Sequence, residues 1–80
     1  MKTYHLRYHS GGWELRQTGK TETIIWSRLK SEAMDKSRKW ARAMASETGK
    51  PISLRICDRK GKLMLEWTYP RSADPRKSKG

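Results

Sequence analysis

The chain has a single cysteine, no phenylalanine, and only eight acidic residues against nineteen lysines and arginines. One thiol, Cys57, excludes an intramolecular disulfide and a thiolate metal cluster, and it suits a reducing compartment. With no Phe, aromatic burial falls to four Trp and three Tyr, whose polar atoms favour the margin of a core. No stretch approaches the roughly 18 apolar residues of a membrane span, and the opening "MKTYHLRYHS" lacks the apolar segment of a secretion signal. These absences predict a soluble, cytoplasmic protein. Eighty residues supply one small core, so a single domain is expected.

What is present is periodicity. In "TYHLRYH", Tyr4, Leu6 and Tyr8 alternate with His5, Arg7 and His9, the pattern of a half-buried strand. "SGG" supplies a turn, and "WELRQ" alternates again with Trp13 and Leu15 inward. After "TGK" comes "TETIIWSR", a third strand in which Ile24, Ile25 and Trp26 are consecutive, so that either Ile25 or Trp26 faces away from the core. From Ser31 to Gly49, the residues Ala33, Met34, Ser37, Trp40, Ala41, Met44, Ala45 and Thr48 form one helical face. Gly49 and Pro51 end that helix. "PISLRICD" places Ile52, Leu54 and Ile56 inward, Asp58 and Gly61 make a turn, and "KLMLEWTY" places Leu63, Leu65, Trp67 and Tyr69 inward. The expected fold is α+β with the order β-β-β-α-β-β, an antiparallel sheet covered on one face by the helix, in a domain over residues 1–69. Residues 70–80, "PRSADPRKSKG", carry no periodicity and read as a disordered basic tail.

The formal net charge is +11, and its location matters more than its size. The helix has four cations and three anions, with Glu32 four residues before Lys36 and Asp35 four before Lys39, so its cations face their own anions and water. The surplus belongs elsewhere: +4 in residues 1–30, +3 in residues 50–69 and +3 in residues 70–80. If the alternating apolar residues cover the helix side, the open face of the sheet displays His5, Arg7, His9, Glu14, Arg16, Arg55, Met64 and Glu66. Guanidinium forks match phosphates and base edges, and a neighbouring ring stacks on bases, so Arg7, Arg16, Arg55 and Trp26 are candidate nucleic-acid contacts. Lys20, Arg59, Lys60 and Lys62 in turns, and Arg71, Arg76, Lys77 and Lys79 in the tail, suit phosphate contacts that add affinity without sequence choice.

Catalytic and metal patterns are not found. His5 and His9 lie about 13 Å apart on a strand, too far to share one ion. No Ser, His and Asp arrangement, paired carboxylates, glycine-rich phosphate loop or dinucleotide fingerprint occurs. The glycines of "SGG" and "TGK" are accounted for as turns, and Cys57 reads as a small strand residue with nothing near it in sequence to activate a thiolate. A non-enzymatic protein without a cofactor is expected.

"GGWELRQ", "LKSEAMDKSRKWARAMASETG", "ICDRKGKL" and "EWTYP" together resemble the small bacterial and prophage proteins grouped as domain of unknown function 2188. The resemblance covers Tyr4 to Pro70 and rests on Gly12 and Trp13, Lys30, Glu32 and Ala33, Gly61, and Glu66, Thr68 and Tyr69. It implies the β-β-β-α-β-β layout and a cytoplasmic setting, and carries over no functional residue. The chain departs from the family in having Leu29 where a capping residue usually stands, which leaves Ser27 or Ser31 to cap, and in its excess of basic residues. Residues 12–45 are also similar in shape to the arm-binding domains of phage integrases, which lay a three-stranded sheet in a DNA groove.

These features lead to the expectation of a bacterial or prophage accessory module that binds nucleic acid, DNA in preference to RNA, with no membrane partner. The alternative is a protein-interaction module, a homodimer or partner binder acting through a strand edge, whose charge serves solubility.

Overall fold

Alternation in the first two strands produces the hairpin on which the sheet is built. In the computed structural model, which describes residues 1–70, β1 (Lys2–His9) and β2 (Gly12–Gln17) pair antiparallel with Leu6 opposite Leu15. They are joined by Ser10 and Gly11, both at positive φ (52° and 80°), the geometry that matches the twist of a two-residue hairpin. Gly12 is therefore a strand residue, not part of the turn. β3 (Thr23–Ser27) pairs antiparallel with β2, α1 (Lys30–Thr48) crosses one face, and β4 (Ile52–Cys57) and β5 (Leu63–Tyr69) form a second hairpin.

The order β-β-β-α-β-β is as expected from the sequence, but the sheet is mixed. Its strands run β3-β2-β1-β4-β5, and the central pair, β1 with β4, is parallel. The reason is the crossover: one helical pass returns the chain to the end from which β3 set out, so β4 runs in the direction shared by β3 and β1. The basic tail, with Arg71, Arg76, Lys77 and Lys79, lies outside the described residues. No helix among the described residues is long and apolar enough to cross a membrane.

The helix approaches the sheet through small residues. Ala33, Ser37, Ala41 and Ala45, spaced by four, are its buried positions, flanked by Met34, Trp40 and Met44. Thr48, expected on the same face, is exposed and turns its hydroxyl to the Met44 carbonyl. Beneath the helix, Leu6, Leu15, Leu54 and Ile56 are fully buried. Each such side chain contributes about 1.5–3 kcal/mol of hydrophobic stabilisation. Tyr4 meets Trp40 edge-on with centroids 4.8 Å apart, and Tyr8 meets Trp13 in the same way at 5.4 Å.

The helix start differs from expectation. Leu29 is the N-cap and makes no side-chain cap bond; Ser27 instead donates to Glu32 Oε1 (2.6 Å), so neither Ser27 nor Ser31 caps. Glu32 also pairs with Lys36, and Asp35 with Lys39, the ladder read from the sequence. Gly49 closes the helix in the left-handed region (φ 70°), its N–H donating to the Ala45 carbonyl.

Each edge strand carries an irregularity. Between β2 and β3 the register shifts so that Ile24 is the extra residue, leaving Ile25 opposite Leu15 in the core and Trp26 on the open face. Between β4 and β5 the extra residue is Met64. Leu63 consequently stands opposite the open-face Cys57 and is exposed, contrary to its expected inward position. Met64, expected on the open face, instead brings its sulfur to within 3.2 Å of Lys30 Nζ at the start of the helix.

Candidate nucleic-acid interface

The face left bare by the helix is organised in rows across the strands. One row runs Thr23, Arg16, His5, Arg55, Glu66 from β3 to β5, and the next runs Trp26, Glu14, Arg7. His5 thus has an arginine on each neighbouring strand and a third, Arg7, two residues along its own. Strand alternation puts these residues on one side of β1, β2 and β4, and pairing brings them together.

Two of the arginines are held by carboxylates. Arg16 Nη2 lies 2.9 Å from Glu14, and Arg55 Nε lies 3.2 Å from Glu66. Glu14 also accepts from the Thr23 hydroxyl at 2.6 Å, and Glu66 from the Ser53 hydroxyl at 2.9 Å. Burial pushes Glu14 towards neutrality, but the Thr23 bond and the Arg16 charge outweigh it and hold the carboxyl below its ordinary 4.5. Arg7 has no carboxylate among the described residues within ion-pair distance. Its guanidinium reaches the β4–β5 hairpin, where a Cβ on Gly61 would stand 3.6 Å from Nη2. Burial first, and then the charges of Arg7, Arg16 and Arg55, lower the pKa of His5 below 6.5. Its Nδ1 lies 3.0 Å from Thr18 Oγ1.

Trp26 is 51% exposed on this face and lies over Gly12, so its ring is both supported and accessible. Of the candidates read from the sequence, Arg7, Arg16, Arg55 and Trp26 therefore share one surface. Lys20 stands in the β2–β3 turn, at the opposite end of the sheet from Arg59 and Lys60 in the β4–β5 turn. Arg59 is stacked over the Tyr8 ring at 4.5 Å. Asp58 orders that turn by accepting from the backbone N–H groups of Lys60 and Lys62, and the Lys62 bond first among its causes lowers the carboxyl's pKa. Cys57 is buried on the open side, and burial raises its pKa, the condition of an unreactive thiol.

Sequence reasoning missed two contributions. Gly12 was accounted for as a turn, because its role as the seat of Trp26 depends on a cross-strand pairing that periodicity does not reveal. His5 and His9, set aside as metal ligands, line a depression with Arg7, Glu14 and Arg16. Comparison with protein-family models, with curated proteins and with solved structures found no match.

Proposed function

We propose that this protein is a non-enzymatic module that binds nucleic acid, DNA in preference to RNA, through the open face of its sheet. The observation that carries this reading is the grouping of Arg7, Arg16 and Arg55 around His5, with the exposed Trp26 indole on the same surface. Arginines anchored by carboxylates keep part of their donor fork for phosphate, and a supported indole offers a stacking platform. The turn cations Lys20, Arg59 and Lys60, and Arg71, Arg76, Lys77 and Lys79 of the tail, add sequence-independent attraction. A cytoplasmic accessory role in a bacterium or prophage accords with the resemblance to domain of unknown function 2188.

The test is binding of the full chain to labelled duplex DNA, single-stranded DNA and duplex RNA across a salt series. Replacing Arg7, Arg16 and Arg55 by Gln should weaken binding by at least about tenfold, given about 1.5–3 kcal/mol for a hydrogen bond to a charged group. Trp26→Ala, which leaves every ion pair in place, is the companion variant and should weaken single-strand binding most. Unchanged affinity in both variants, each shown to be folded by circular dichroism, would exclude the sheet face.

One observation favours the interaction-module alternative. Leu63, Met64 and Leu65 are exposed along the β5 edge, 47%, 51% and 36% respectively. The irregular register there opposes simple strand addition. A mass that rises with concentration by light scattering, without nucleic-acid binding, would decide for that reading.

A further inference from the structure

On the open face, His5, Arg7, His9, Glu14 and Arg16 line a depression of about 90 Å³, large enough for water or a small oxyanion. Its charge is lopsided. The Glu14 carboxylate is already engaged by Thr23 and Arg16, whereas Arg7 has no carboxylate partner among the described residues. Arg16 spends Nη2 on Glu14 and its Nε–H is closed off from solvent, so what it can offer a ligand in the depression is the outer end of its guanidinium.

The geometry points to a phosphate seat in this depression, with the phosphoryl oxygens taken by the Arg7 and Arg16 guanidinia and by the imidazole of His5, while His9 stands at its rim. A carboxylate is planar and is satisfied by one guanidinium fork, while donors approaching from two strands suit an anion with oxygens directed to several sides. Glu14 acts as the positioning residue that fixes Arg16. This assignment deepens the nucleic-acid reading and rests on it for the source of the phosphate, a backbone phosphodiester.

The seat couples binding to a proton. His5 is faced by Arg7 from its own strand, by Arg16 and Glu14 from β2, by Arg55 from β4, and by the Thr18 hydroxyl. Burial and then the three guanidinium charges lower the pKa of His5, and an anion placed among these arginines offsets the second of these causes, so the pKa rises on binding. Affinity should therefore increase as pH falls through the imidazole range, between about 8 and about 5.

The experiment follows the His5 and His9 imidazole resonances of the full chain by NMR, at constant ionic strength set with chloride. Inorganic phosphate is added in one arm, and a short DNA duplex without terminal phosphates in the other. The expected result is a saturable shift of His5 and an upward move of its pKa in both arms. Arg7→Gln should lower the phosphate affinity by about tenfold, while Lys20→Gln, at the far end of the sheet, leaves it unchanged. Equal losses from both variants would overturn the seat in favour of diffuse charge. A duplex that binds while neither arm moves His5 also overturns the seat, but leaves the nucleic-acid reading standing. A response to phosphate with no binding of the duplex keeps the seat, reassigns it to phosphomonoesters and removes that reading. No response and no binding removes both.

Discussion

The indole of Trp26 occupies the space that a side chain on Gly12 would need: a Cβ there would fall 2.7 Å from Trp26 Nε1 and closer still to the ring carbons. The two residues come from adjacent strands on the face turned away from the helix, so the exposed ring is seated where its neighbour has no side chain.

Gly12→Ala should displace the ring and destabilise the fold by about 1–3 kcal/mol, the range for overpacking. In a Trp26→Ala background the same substitution should cost far less. A double-mutant cycle by urea unfolding measures the difference, and additive effects would show that the two residues do not interact.

Glu14 makes stability depend on pH. Its folded pKa is depressed below 4.5, so its contribution is fully present above 4.5 and is lost as pH falls through the folded value. Unfolding free energy measured from pH 6 to pH 2 should decline in this range. Thr23→Val removes a bond to the charged form and should flatten the decline.

Ser37 is completely buried between helix and sheet, and its hydroxyl has no hydrogen-bond partner among the described residues. Ser37→Ala removes an unsatisfied group and improves helix propensity. A gain of about 1 kcal/mol is expected from the denaturant midpoint at constant slope. A loss of stability would mean that the hydroxyl is satisfied in solution.

Leu29 holds the extended N-cap conformation (φ −100°, ψ 137°) without a side chain able to cap, and is 59% exposed. Leu29→Asp should stabilise the helix by about 1 kcal/mol, read as a higher thermal midpoint. An unchanged midpoint would indicate that the first-turn N–H groups are already satisfied.

Much of the fold was legible because its signals are local. Alternation in β1, β2 and β4 set His5, Arg7, Arg16 and Arg55 opposite Leu6, Leu15 and Leu54, and the four-residue spacing of Ala33, Ser37, Ala41 and Ala45 defined the buried helical stripe. The parallel β1–β4 pair was not legible, since no short segment records which distant strand lies beside it. Nor were the facings of Ile25, Trp26, Leu63 and Met64, because consecutive apolar residues carry no alternation and a single extra residue in a strand decides which side each takes. The Arg55–Glu66 pair depends on register and so emerged only with the folded sheet, whereas Arg16 and Glu14 stand two residues apart on one face of β2.

The parallel contact between β1 and β4 also sets when the arginine surface comes into being. Two hairpin-linked portions, β1 to β3 and β4 with β5, can each form from neighbouring sequence, but Arg55 meets His5 only when the chain beyond the helix docks in the middle of the sheet. On a ribosome, a chain that has emerged only as far as the helix would lack a third of the guanidinium ring and both of the strands that complete the core. The three arginines therefore share one surface only after synthesis has passed β4, so this face of the sheet is among the last features of the domain to be completed.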